Sequence, residues 1–182
     1  MAERGLKKAL YFLGVLDDQD VDWMVRNGER KTVPAQGKII TEGQASNSVY
    51  FILSGEFSVT SARSGGEVAR LTAGEILGEI SFVDSRPPSA TVVAVTDSVV
   101  GAVPVEALER KLEKDPRFAS RFYKAIAVAL ADRLRVGTSP SASAPSTEDD
   151  DDALAPHLLD SISMAGTRFA DIQRRPWGQD RV

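Results

Sequence analysis

The apolar positions change period twice along the chain. In residues 5–16, Leu6, Leu10, Phe12 and Leu13 recur at near-helical spacing, and residues 17–26 repeat the pattern with Val21, Trp23, Met24 and Val25, which predicts two short helices. From Gly28 to about Val103 the texture changes to brief β-rich runs punctuated by glycine, with strands expected at 38–41, 49–53, 57–61, 68–71, 90–96 and 98–103. Strands this short and evenly spaced predict a sandwich or a barrel-like roll. Ser64, Gly65 and Gly66 fall between two of them, where glycine supplies the positive φ of a hairpin turn.

Helical spacing returns at Pro104, expected at a first helical position, with Val105, Leu108 and Leu112 on one stripe. A second helix is predicted to start at Asp115 as N-cap and Pro116 as first residue. It carries Phe118, Phe122, Ile126, Leu130 and Leu134 at successive i+4 steps. Residues 138–147 are almost entirely Ser, Ala and Pro, and an acidic run follows at 148–152. That composition buries too little apolar surface to offset ordering entropy, so 137–152 is expected to be a flexible linker. Leu154, Leu158, Leu159, Ile162 and Met164 then fit one short helix ahead of a terminal peptide. The layout expected is N-terminal helices over 1–27, a β domain over 28–103, C-terminal helices over 104–136, the linker, and a helix with tail over 153–182: a mainly β fold with flanking helices.

A length of 182 residues with 42% hydrophobic content suits one domain with a substantial core. No apolar run approaches the roughly 18 to 20 residues that cross a bilayer, and residues 1–8 lack the basic-then-apolar pattern of a secretory signal. No membrane span and a cytoplasmic location are therefore expected. The chain has no cysteine and one histidine, His157, which removes thiolate chemistry, disulfides and His- or Cys-rich metal centres. Neither a Walker-type loop nor a Ser-His-Asp set can be assembled, so a non-catalytic protein with no cofactor and no metal is expected. From residue 137 onward four basic residues face eight acidic ones, which accounts for the whole net charge of −4. A neutral body with an acidic tail is a poor match to polyphosphate, so direct nucleic-acid binding is not expected.

Several glycine-bearing elements recur in a fixed order: Gly37 before Lys38-Ile39-Ile40, Gly43 after it, then Tyr50-Phe51-Ile52-Leu53-Ser54-Gly55, and Gly74-Glu75-Ile76-Leu77-Gly78-Glu79. On these the chain, over roughly residues 10–135, resembles the cyclic nucleotide-binding domain shared by the catabolite activator protein family, protein kinase A regulatory subunits and cyclic-nucleotide-gated channels. The resemblance implies a double-stranded β-helix, a jelly-roll-like β-roll, with a long C-terminal helix. Residues 78–92 are similar to the phosphate-binding cassette of that family, with Gly78, Glu79, Ser81, Ser89 and Ala90 at matching positions. It implies cAMP or cGMP as the ligand.

The residue types support that chemistry on their own. Gly78 admits close backbone approach, and the Glu79 carboxylate can accept a hydrogen bond from a ribose 2′-hydroxyl. Backbone N–H groups near Ile80 and Ser81, and again near Ser89, Ala90 and Thr91, can cradle a phosphate, and Ser89 adds a hydroxyl. Equally, the glycines can serve only as turn formers and Glu79 as a surface carboxylate. One position departs from the family: Pro88 stands where an arginine normally pairs with the cyclic phosphate. Losing a desolvated pair of that kind typically costs about 2 to 5 kcal/mol. Arg86, two residues earlier, is the candidate surrogate, because its planar fork suits phosphate. The whole reading requires the stretch around Gly78 and Glu79 to form one wall of a concave β-roll.

Two functions follow. In one, a stand-alone regulatory module couples ligand in the roll to a partner through the C-terminal helix and tail. In the other, a degenerate pocket leaves a nucleotide-independent interaction or scaffold module. In the relatives the long helix lids the pocket or pairs with its copy in a homodimer, while here it can also simply pack on the roll. The relatives that bind DNA follow it with a helix-turn-helix, whereas this chain has a linker. Arg174, Arg175 and Trp177 have the composition of a partner-binding hot spot, or of a frayed terminus.

Overall fold

The computed structural model describes residues 12–138 and 156–178, so the start of the first expected helix, most of the expected linker and the acidic run lie outside the described residues. Eight strands form two four-stranded antiparallel sheets. They are β1 (Glu29–Val33), β2 (Lys38–Ile40), β3 (Ser48–Ser54), β4 (Glu56–Ser61), β5 (Gly66–Thr72), β6 (Ile76–Leu77), β7 (Thr91–Ala94) and β8 (Ser98–Pro104), in the orders β1-β8-β3-β6 and β2-β7-β4-β5. Consecutive strands mostly sit in different sheets or are separated by others, which winds the chain into a roll. The mainly β class with flanking helices is what the structure has.

Strand β3 sits inside its sheet, pairing with β8 on one side and β6 on the other. Its side chains alternate: Val49, Phe51 and Leu53 join the core beneath the helices, while Tyr50 and Ile52 face the space between the sheets. Burial on both faces explains why this strand reads as an unbroken apolar run. The inner core between the sheets comprises Val33, Ile40, Ile52, Phe57, Leu71, Leu77, Val92, Ala94 and Val100.

Two strands were not expected. Strand β1 is almost wholly polar, Glu29-Arg30-Lys31-Thr32-Val33, with only Val33 buried, and it is held as an edge by pairing with β8. Strand β6 has two residues, too few to show any alternation.

Helices cover the outer face of the first sheet. Helix α1 (Asp18–Asn27) opens with a reciprocal cap: Asp20 N donates to Asp17 Oδ1 at 2.9 Å and Asp17 N donates to Asp20 Oδ2 at 3.0 Å. Helix α2 (Glu79–Asp84) follows β6. Helix α3 (Val105–Lys114) starts one residue later than expected, since Pro104 closes β8 and serves as the N-cap. Helix α4 (Pro116–Thr138) begins as expected, with Phe118 N and Arg117 N donating to Asp115 Oδ1 at 3.0 and 3.1 Å. It is described through Thr138.

The buried face of α4 is Phe118, Phe122, Ala125 and Ile126, with Ala129 and Leu130 partly covered, whereas Leu134 is 69% exposed. The stripe at i+4 steps therefore fails at its end. Each such step drifts about 40° around a helix of 3.6 residues per turn, so four steps carry Leu134 off the buried face.

Helix α5 (Pro156–Arg174) has 19 residues, more than the short helix expected, and its Ala165, Phe169 and Ile172 are buried in the same outer core as α1 and β3. The terminal peptide is docked too. Trp177 lies over Gly28 and Gly101, where a Cβ on Gly101 would meet the indole ring at 2.1 Å, and its Nε1 donates to Ile172 O at 3.2 Å. Arg175 pairs with Asp22 and with Asp171, the latter at 3.3 Å. Arg174 is exposed and donates to Ala170 O of its own helix at 3.0 Å. Of Arg174, Arg175 and Trp177, the residues expected to face a partner, Arg175 and Trp177 engage this chain's own α1, α5 and β8, and Arg174 is exposed.

Candidate functional site

A cavity of about 770 Å³ opens at one end of the roll, a size typical of small-molecule sites. Its floor is apolar and comes from both sheets, through Ile40, Val59, Leu71, Leu77 and Val92. Its remaining lining comes mainly from four separate elements. Helix α2 and the loop after it bring Gly78, Glu79, Ile80, Ser81, Asp84, Arg86, Pro88, Ser89 and Ala90, the segment after β2 brings Glu42 and Gly43, the β4–β5 hairpin brings Ser61 and Arg63, and α4 brings Arg133.

Gly78 is the pivot. It has φ 80 and ψ 0, the left-handed conformation that glycine adopts without strain, and it turns the chain from β6 into α2. A Cβ there would also meet Ser48 O at 3.2 Å. The expected β wall is therefore a short helix here, because the chain leaves the sheet at Gly78; Glu79 is its first residue and is 2% exposed. The concavity that the reading needed stands beside it.

Glu79 is not free. Arg133 of α4 donates from Nη1 to Glu79 Oε1 and from Nη2 to Ile76 O at 2.5 Å, so one guanidinium ties the helix to both β6 and α2. Burial pushes the Glu79 carboxyl above its ordinary range, Arg133 opposes this, and neighbouring Glu75 adds a smaller upward push. Phe82 of α2 meets Phe122 of α4 edge to face at 6.1 Å, a second link between the same two helices.

The other expected residues fall as follows. Ser81 and Ala90 are half-buried on the cavity wall, and Ile80, Arg86 and Ser89 are exposed along it. Arg86 N donates to Asp84 Oδ1 at 3.0 Å, and its guanidinium makes no hydrogen bond or ion pair among the described residues. Thr91 does not line the cavity: its Oγ1 accepts from Glu42 N at 3.0 Å, which fastens β7 to the segment after β2. Pro88 is buried, and its carbonyl accepts from Gly43 N at 2.8 Å. The position that would carry a phosphate-pairing arginine is thus a fixed apolar part of the wall.

Arg133, Arg63 and Glu42 were missed from the sequence. Arg133 follows Phe122, Ile126 and Ala129 at i+4, i+3 and i+4, so it continues the buried face of α4, and a charge on such a stripe was the available signal. Nothing in sequence spacing joins Arg63 or Glu42 to residues 78–90.

Residues 30–115 match the family model described as cyclic nucleotide-binding domain. The crystal structure of the Thermus thermophilus catabolite activator protein superposes with a TM-score of 0.56 at 29% identity, covering 67% of this chain and 57% of that one. A cyclic nucleotide-binding domain from Methylobacillus flagellatus shares the fold with a TM-score of 0.63 at 23% identity, covering 74% of this chain and 81% of that one. An uncharacterized NTE family protein of Mycobacterium tuberculosis is 26% identical over 153 residues, 84% of this chain. The chain spans about a quarter of that relative's length. Residues 30–115 thus belong to the cyclic nucleotide-binding domain family, a regulatory class of β-roll. Among the described residues, no helix is long and apolar enough to cross a membrane.

Proposed function

We propose that this chain is a non-catalytic sensor module that takes a nucleotide in the roll cavity and reports occupancy through α4. The observation that carries the reading is the Arg133 bridge. The carboxylate best placed to meet a ribose hydroxyl, Glu79, is the same one that anchors α4. A ligand hydroxyl donating to Glu79 competes with or reinforces that anchor, so occupancy biases the position of the helix. Arg86, untethered beside Ser89, supplies the anion contact that Pro88 cannot. The output passes to another protein, or to a second copy of this chain along α4, whose Tyr123 and Leu134 are exposed.

Calorimetry with cAMP and cGMP tests this. Micromolar or tighter binding, weakened about tenfold or more by Glu79→Ala, is the expected result. No heat at millimolar ligand, with these or with nucleoside monophosphates, removes it.

A second reading has its own support. Pro88 is buried and hydrogen-bonded into the wall, so the phosphate end is built without its usual cation. On that reading the module is nucleotide-independent and holds a protein assembly through its surface. Silence toward every nucleotide, with a folded protein, is its signature.

A further inference from the structure

We propose that Arg63 on the β4–β5 hairpin acts with Arg86 as a two-cation site, and that the ligand is a nucleoside monophosphate with an open phosphomonoester, preferred over a cyclic phosphodiester. This rests on the reading that the roll cavity binds a nucleotide. Three carboxylates and three guanidiniums line the cavity: Glu42, Glu79 and Asp84 against Arg63, Arg86 and Arg133. Every carboxylate is engaged. Glu79 holds Arg133, Asp84 accepts from Arg86 N at 3.0 Å, and Glu42 accepts through Oε2 from Ala62 N at 2.9 Å.

Arg63 and Arg86 differ from Arg133. Neither guanidinium has a hydrogen bond or ion pair among the described residues, and both belong to exposed residues lining the cavity. Their backbones are nonetheless fixed. Glu42 clamps the hairpin at Ala62, Gly65 N donates to Ser61 O at 3.0 Å, and Pro88 is tied to Gly43 at 2.8 Å. Two long side chains with free forks thus rise from positioned backbone on two elements that share one cavity.

Two guanidiniums without a hydrogen-bond or ion-pair partner among the described residues offer two donor forks to one anion. A phosphomonoester carries about −1.5 to −2 near neutral pH and exposes three acceptor oxygens, enough for two forks. A cyclic diester carries a single negative charge and two free oxygens. It offers fewer acceptor oxygens and less charge to the two forks, so the open form is bound more tightly.

Calorimetry on the full chain would use 5′-AMP, 3′-AMP and 5′-GMP beside cAMP and cGMP, with Arg63→Ala, Arg63→Lys and Arg86→Ala. The expected result is that at least one monophosphate binds about tenfold more tightly than the cyclic nucleotide of the same base. Arg63→Ala then erases about tenfold of its affinity, and Arg63→Lys recovers part of it. Equal or tighter binding of the cyclic form, or a monophosphate affinity untouched by Arg63→Ala, overturns the inference while leaving the nucleotide reading in place. No binding of any of the five overturns both. Arg63 is exposed in a turn, so matching thermal melts for wild type and variants identify any loss as a loss of binding.

Discussion

At the scale of single residues, the pair that matters most is Glu79 with Arg133. Taking a carboxylate to 2% exposure raises its pKa, and here burial outweighs the opposing guanidinium. A carboxyl whose pKa is higher folded than unfolded binds its proton more tightly in the folded state. Its contribution is therefore most favourable below the ordinary value of 4.5 and declines as pH rises through the raised folded value. Arg133→Ala removes the opposing charge and raises the carboxyl further; Glu75 is the other charged group acting on it. The variant should lose about 1–3 kcal/mol at pH 8, because a buried charge is left without its partner. The loss should shrink toward pH 5, because lowering the pH favours the protonated carboxyl, which needs no partner. Urea denaturation of both proteins at the two pH values measures this, and an equal loss at both would mean that the pair carries no charge coupling. Glu79→Gln in the same experiment should flatten the difference.

At the scale of elements, α4 shows how far a local signal reaches. Asp115 was legible as its cap because the signal is local: a short acceptor followed by proline and an apolar stripe. Hydrogen bonds from Lys111 and from Phe118 N hold the Asp115 carboxyl at about 2, well below its ordinary 3.8. A depressed carboxyl contributes stability above its unfolded pKa and loses it as pH falls through the folded one. Asp115→Asn keeps an acceptor for the cap and gives up that contribution. Its melting temperature should fall below wild type at pH 7, and the gap should close between about pH 4 and pH 2; Asp115→Ala, lacking both, should melt lower still. Thermal melts by circular dichroism across that range test the order.

The same locality explains what sequence reading could not supply. Strands β3 and β4 announced themselves through short β-rich runs, and the glycines from Gly74 to Gly78 pointed to the turn beside the cavity. Strand β1 is invisible because its pairing with β8 alone makes Glu29 to Val33 a strand. Helix α2, at six residues, is shorter than two helical turns and shows no stripe. The site was legible where its residues are neighbours in sequence, from Gly78 to Ala90. It was not where the roll closes on itself, since Arg63 and Arg133 come to the cavity only through sheet pairing and helix packing.

At the scale of the whole molecule, the last described segment packs back on α1, β3 and β8. Gln173 donates from Nε2 to Leu53 O at 2.5 Å, Arg30 donates from Nη1 to Gln173 O at 2.6 Å, and Arg168 pairs with Asp18 at 2.6 Å. These contacts hold α5 against α1, β1 and β3. The seat of Trp177 exists because Gly28 and Gly101 carry no side chain: a Cβ would meet the ring at 2.7 Å on Gly28 and at 2.1 Å on Gly101. The central sheet strand β8 and the C-terminal peptide are thereby coupled through a missing methyl group. Gly101→Ala should cost about 1–3 kcal/mol in urea denaturation, as overpacking does, and in a Trp23→Phe background should shift tryptophan emission to longer wavelength as the indole leaves its seat. Trp177→Ala alone should destabilise too, through lost burial. The decisive quantity is the double variant. With the ring already gone, adding the methyl at 101 meets open space and should cost little, so the two single losses must exceed the loss in the double variant by about 1 kcal/mol or more. Simple additivity would place the seat elsewhere and return Trp177 to the surface as a residue available to a partner.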